Sequence, residues 1–153
     1  MKGGGRMFKN KKGFTLIELL VVIAIIGLLS TLAVVALTSA RTKARDSKRV
    51  ADMKQVQTAM ELYYSANNGY PACGAGTLLS ACGALAPDFL PGVATVKDPG
   101  GVAAACANPA VAKCNYAFGA AGADEGYRVN FWLEGATGDL AAGAHRVTAK
   151  GIE

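Results

Sequence analysis

The sequence predicts an α+β protein in which one long N-terminal helix lays its second half against a small antiparallel sheet. Three observations lead there. The 24 residues from Phe14 to Leu37 carry a single charge, that of Glu18. The next stretch, Thr38 to Ala66, holds neither Pro nor Gly and sets Val50, Met53, Val56, Met60 and Tyr63 at spacings of three and four. Further on, Tyr127, Val129, Phe131 and Leu133 alternate with Arg128, Asn130, Trp132 and Glu134, the period of two expected of a half-buried strand.

A chain of 153 residues accommodates one membrane-anchored domain rather than two globular ones. Its net charge of +5 suggests nucleic-acid binding only until the charges are placed. Lys2, Arg6, Lys9, Lys11 and Lys12, all within residues 1–13, account for the excess, and the remainder balances 11 basic against 11 acidic side chains. A basic leader of this kind is a targeting element, set aside before reasoning about fold. Met7 is an alternative start, since residues 7–13 alone still form a short basic leader. The apolar run that follows is long enough to cross the ~30 Å core of a bilayer as a helix. A lone acid inside it costs on the order of 3 kcal/mol without a partner, which makes Glu18 a functional residue by default.

The junction reads Lys12-Gly13-Phe14-Thr15-Leu16-Ile17-Glu18-Leu19-Leu20-Val21. It closely resembles the prepilin-type signal of type IV pilins and of the pseudopilins of type II secretion systems, matching that pattern from Gly13 through Glu18. The resemblance implies cleavage between Gly13 and Phe14 by a dedicated membrane peptidase, with methylation of the new Phe14 amine. The partners it implies are identical or related pilin-like subunits, the prepilin peptidase, the assembly platform and ATPase of a pilus or secretion machine, and membrane lipid; no nucleic acid is expected. It also implies a single pass through the cytoplasmic (inner) membrane with the C-terminal part outside the cytoplasm, then a filament in the periplasm or at the cell surface. The chain then divides into a prepilin leader (1–13), a transmembrane and assembly helix (14–37), the amphipathic half of the same helix (38–68) and a small globular head (69–153).

The chemistry of that junction can be argued separately. A freed amine on Phe14 has an ordinary pKa of ~7.7–8.0 and sits one helical turn from Glu18. A neighbouring copy displaced by one step brings its amine to this carboxylate, so that each poorly solvated charge gains a partner. The alternative is that Glu18 snorkels toward the membrane surface or complements its own helix N-terminus. Two other readings of the front end compete. A secretory signal peptide has an apolar core of about 7–15 residues; this run is longer, and although Thr38-Ser39-Ala40 offers a small-residue cleavage site, that reading leaves Glu18 unexplained. An ordinary single-pass anchor is the other. Arg41, Lys43, Arg45, Lys48 and Arg49 compete with the leader under the positive-inside rule, so the orientation comes from the resemblance. Many pilins carry a helix-kinking Pro near Val35; this chain has none, and Gly27 is the one residue there that loosens the helix, by ~1 kcal/mol relative to Ala. That departure counts against a major type IV pilin without weakening the family.

Unbroken helix from Phe14 to Ala66 would be about 80 Å long at 1.5 Å per residue. Arg49, Lys54, Gln55 and Glu61 fall largely away from the apolar stripe. Asn67-Asn68-Gly69-Tyr70-Pro71 ends the helix, with Gly for the left-handed turn and Pro beyond the stop. Residues 72–113 read as a long Ala-, Gly- and Pro-rich connection with a short helical turn around Leu78 to Leu85. It carries or borders Cys73, Cys82, Cys106 and Cys114, an even number that in an exported segment argues for disulfides. Three connectivities are open; Cys73–Cys82 with Cys106–Cys114 is preferred, because each closes a short loop. Free thiols are one alternative and zinc another, but for zinc there is no Cys-x-x-Cys pair and His145 is the only histidine. Cys114, Tyr116 and Phe118 suggest a strand before the 127–134 segment, and His145 to Ala149 one after it, with Gly-rich connections between. The sheet's apolar face would cover the Val50–Tyr63 stripe.

The soluble part lacks the makings of an active site: one histidine, no catalytic triad, and no Gly-rich phosphate loop after a strand. No cofactor is expected. Asp124, Glu125, Glu134 and Asp139 lie near loops, where some pseudopilins hold calcium, but their spacing is not that of an EF-hand, and solvated loops are the preferred reading. His145 reads as a surface strand residue. The basic cluster Arg41 to Arg49 could meet DNA or phospholipid headgroups; the preferred reading is that it marks the membrane boundary and solvates the emerging helix. The expected function is a structural subunit of a pilus-like or pseudopilus filament, not an enzyme. The alternatives are a minor pilin, adhesin or DNA-uptake subunit, or a singly anchored exported protein that never polymerises. Five basic and eight acidic side chains in residues 55–153 count against DNA uptake.

Overall fold

The computed structural model describes residues 13–106 and 113–153. Residues 1–12 of the basic leader, Met7 among them, therefore lie outside the described residues, as do residues 107–112 of the 72–113 connection. The described elements are a helix α1 (Leu16–Asn67), then strands β1 (Ala117–Phe118), β2 (Arg128–Leu133), β3 (Gly143–Thr148) and β4 (Gly151–Ile152). The chain separates after Ser39 into two compact units, and α1 contributes to both.

In the first unit the helix is bare. Its most apolar 18-residue window has a mean hydropathy of 2.9 and no residue of it is buried. Phe14, Leu16, Ile17 and the large aliphatic side chains onward to Leu37 are all at least half exposed. An apolar helix with no protein around it requires lipid or like helices. Two threonines are satisfied locally: the Thr31 hydroxyl donates to the Leu28 carbonyl at 2.8 Å and the Thr38 hydroxyl to that of Val34 at 2.9 Å. Helix continues through Gly27.

In the second unit the helix is one wall of a core. Met53, Val56, Ala59 and Met60 are buried, with Val50 and Tyr63 partly so, against Tyr116, Phe118, Tyr127, Val129, Phe131, Leu133 and Val147 of the sheet region. The sheet is an antiparallel meander in chain order, β1-β2-β3-β4. Its longest pairing runs from Arg128↔Thr148 to Leu133↔Gly143, which turns Val129, Phe131 and Leu133 to the core. The α+β architecture expected from the sequence is thus present.

Several details differ from expectation. The left-handed residue after the helix is Asn68, with φ 53°, and not Gly69; Asn tolerates this conformation, and its N–H closes on the Tyr64 carbonyl at 2.8 Å. Strand β1 is only two residues long. Cys114 and Tyr116 fall outside it because the backbone at Asn115 pairs instead with the 104–106 segment, donating to Ala104 at 2.7 Å and accepting from Cys106 at 2.9 Å. Strand β2 is not half-solvated. Asn130 is buried, and Trp132 partly so, beneath a second small cluster of Cys106, Cys114 and Ala117 with Leu78 and Ala105. The connection is also more ordered than its composition suggests: 3₁₀ turns at Leu79–Ala81, Gly83–Leu85 and Val93–Thr95 deliver Leu79, Leu85 and Val93 to the core. Strand β4 is an addition to the expected sheet; it pairs Ile152 with Val147 after a two-residue turn.

Candidate functional site

Two arrangements carry polar chemistry, one in each unit. At the head of α1, Gly13 and Phe14 are exposed and precede the first helical residue. Thr15 and Glu18 form a capping box, the reciprocal arrangement in which each residue satisfies an orphan donor of the other. The Thr15 N–H and hydroxyl each donate to Glu18 Oε2 at 2.7 Å, and the Glu18 N–H donates to Thr15 Oγ1 at 3.3 Å. Within this single chain Glu18 therefore complements its own helix terminus, one of the two roles weighed from the sequence. The Thr-x-x-Glu spacing is itself the signal for it.

The second arrangement is a buried charge network that sequence reasoning missed. Arg49 is 1% exposed. Its Nε and Nη2 form a fork on the Asp98 carboxylate, and its Nη1 donates to Asp46 Oδ1 at 2.6 Å and to Glu134 Oε1 at 2.9 Å. Asp46 also accepts the backbone N–H groups of Glu134 at 3.0 Å and Gly135 at 2.8 Å. Asp98 accepts the Gly100 N–H at 2.9 Å, and its own N–H donates to Asn115 Oδ1 at 2.9 Å. Glu134 is held in addition by Arg45 Nε at 2.7 Å, Arg45 Nη2 at 2.9 Å and Lys113 Nζ at 2.6 Å. Three carboxylates and three cations thus fasten α1 to the 98–100 turn and to the end of β2. A Cβ at Gly100 would fall 2.7 Å from Asp98 Oδ1 and 3.1 Å from Arg49 Nη2, so the turn needs glycine for this approach.

Burial works against the Arg49 charge, and the hydrogen bonds to Asp98, Asp46 and Glu134 outweigh it, leaving its pKa raised. Glu134 is held well below the usual carboxylate range, first by the Arg45 hydrogen bond and, against the cost of burial, by Lys113 and Arg49. Beside the network, Tyr116 donates its hydroxyl to Asp52 Oδ2 at 3.0 Å. Burial pushes Asp52 up, and it pushes Tyr116 up as well.

These contacts correct two expectations. Arg45 and Arg49 do not solvate the helix, because both are committed to acids of the second unit. Glu134 is not a solvated loop residue. Glu125 departs in the same way: it binds Arg128 and the Gly122 N–H, and these hydrogen bonds lower its pKa to about 2. Among the described residues no group of three or more His, Cys, Asp and Glu side chains is placed to hold a metal ion. The structure pairs Cys73 with Cys82 and Cys106 with Cys114. His145 lies on β3, its ring nitrogens 3.1 Å from the Glu153 carbonyl and 2.7 Å from that of Ala141.

The described residues thus hold one bare helix long and apolar enough to cross a membrane and a small α+β unit. Comparison with known proteins makes the class narrower. The family described as "Prokaryotic N-terminal methylation motif" matches residues 8–34. The type II secretion system core protein G of Pectobacterium carotovorum subsp. carotovorum is 38% identical over 72 residues, 47% of this chain and 46% of that protein. The core protein G of Escherichia coli K12 is 38% identical over 71 residues, covering 46% and 49%. The type IV wide pilus major component of Thermus thermophilus is 44% identical over 62 residues, covering 40% and 47%. The chain thus spans about half the length of the curated relatives it matches. No solved structure matches it. The likenesses are thus to type II secretion core proteins and to a type IV pilus component, each over less than half of this chain.

Proposed function

We propose that this protein is a structural, non-enzymatic subunit of a type IV pilus-like or type II secretion pseudopilus filament. The observation that carries the reading is the bare apolar helix headed by the Thr15–Glu18 box inside the methylation motif. In this reading residues 1–13 are a leader removed by a prepilin peptidase between Gly13 and Phe14, and the new Phe14 amine is methylated. Residues 14–37 span the cytoplasmic membrane and later bundle with the same segment of other copies. Residues 38–68 continue the helix into the head of residues 69–153, whose loops are fastened by Cys73–Cys82 and Cys106–Cys114. An assembly platform and its ATPase draw the subunit out of the membrane.

Glu18 makes the assembly step selective. In the isolated chain the carboxylate accepts from Thr15; in the filament it takes the Phe14 amine of a neighbour, which moves an ion into a paired state inside an apolar bundle. The test is filament assembly by the full chain with its peptidase and platform. Glu18→Ala is expected to be processed and to remain membrane-bound while its filaments are lost. Normal filaments from Glu18→Ala would overturn the assigned role.

A further inference from the structure

The charge network changes what the basic stretch after the apolar run presents. Arg45 and Arg49 are consumed by Glu134, Asp98 and Asp46. Arg41, Lys43 and Lys48 are exposed and make no ion pair among the described residues. Of the two acids of the same stretch, Asp46 is in the network, and Asp52 accepts the Tyr116 hydroxyl while the Lys48 charge also favours its ionised form. These contacts leave Arg41, Lys43 and Lys48 as the exposed cations of α1 just beyond the apolar residues.

Helix geometry sorts these cations. Residues seven apart fall about 20° short of two turns, which puts Arg41 and Lys48 in one row. Lys43 lies in a second row, and between the rows are the exposed Ala44 and Ser47; Asp52, one turn after Lys48, closes the first row. The buried residues Asp46, Arg49 and Met53 occupy the other side. Arg41, Lys43 and Lys48 follow Leu37 by roughly 6, 9 and 16 Å of helix rise. Lys54, roughly 25 Å beyond Leu37 by the same rise, lies past the reach of a headgroup layer.

We propose that the face of α1 formed by Arg41, Lys43 and Lys48 is a docking surface for anionic phospholipid headgroups. The proposal rests on the membrane anchoring argued above and adds the lipid class and the residues that select it. Each cation near an anionic surface contributes about fivefold in affinity. Three of them give a preference of at least about tenfold after screening by salt.

The test uses the full chain reconstituted into vesicles of equimolar phosphatidylglycerol and phosphatidylcholine, extracted in neutral detergent, with retained lipids identified by native mass spectrometry. The wild type is expected to retain phosphatidylglycerol over phosphatidylcholine by about tenfold or more. The combined variant Arg41→Gln/Lys43→Gln/Lys48→Gln should fall to within about twofold of no preference, while Lys54→Gln behaves as wild type. An inserted wild-type chain without preference, or a triple variant that keeps it, overturns this proposal alone. A chain recovered outside the vesicles overturns the anchoring reading and this proposal with it.

Discussion

Replacing Arg49 by Met tests the packing of the second unit at its most charged point. The substitution keeps much of the volume and the apolar stem of the side chain and removes its donated hydrogen bonds. Glu134 retains Arg45 and Lys113, and Asp46 retains two backbone N–H groups. Asp98 retains the Gly100 N–H and loses its cation. Leaving a buried carboxylate without its counter-charge costs about 3–5 kcal/mol. For a unit of about this size, near 110 residues, each kcal/mol lowers Tm by about 4 °C, so the shift should be about 12–20 °C. The assay is near-ultraviolet circular dichroism of the full chain in detergent, reading the environment of Trp132. The double variant Arg49→Met/Asp98→Asn should be more stable than Arg49→Met, by a coupling of about 1–3 kcal/mol. A shift below about 4 °C, or a double variant no more stable than the single one, would refute the reasoning.

Acid should loosen the same network. Glu134 has a folded-state pKa below its unfolded value of about 4.3, so its contribution is complete above that pH and disappears as pH falls toward the folded value. Melting temperature should be level from pH 7 to about 5 and then decline, and Glu134→Gln should start lower at pH 7 and decline less steeply; equal acid slopes would contradict this. Each disulfide joins cysteines eight or nine residues apart, which constrains the unfolded chain by about 2–3 kcal/mol. Cys106→Ser/Cys114→Ser should lose about that much and shift Trp132 fluorescence to the red by uncovering its side of β2, whereas Cys73→Ser/Cys82→Ser should destabilise without the colour change. Gly126 has φ 70° and an added Cβ there would meet the Tyr70 ring at 2.4 Å, while Gly138, at φ 61°, has open space. Gly126→Ala should therefore cost well over 2 kcal/mol in denaturant unfolding and Gly138→Ala about 1 kcal/mol.

The fold is legible where side-chain periodicity records burial. The run from Phe14 to Leu37 and the stripe through Met53, Val56 and Met60 mark the two halves of α1, and the alternation from Tyr127 to Leu133 marks β2. What is not legible depends on contacts remote in sequence. Arg49 falls in step with Met53, Val56 and Met60 at spacings of four, three and four, and that register is the available sign of its burial. Its charge argues for solvent, because Asp98 and Glu134 stand 49 and 85 residues away and no local pattern links them. Asn130 reads as solvent-facing for a related reason: the loop that covers it has no periodicity to announce itself. Strand β4 is two residues long, too short for a pattern of its own. At the helix head the information is present in Thr15-Leu16-Ile17-Glu18, which lies inside the matched methylation motif and also forms a capping box.

The central claim is that this chain is a prepilin whose apolar helix becomes the assembling end of a mature subunit. Intact mass and N-terminal sequence of the membrane-extracted protein, co-expressed with its own peptidase, test it most directly. The account predicts a mature chain that begins at Phe14 and is one methyl group heavier than the bare sequence. A chain that keeps its leader, or one that begins near Arg41, would contradict it.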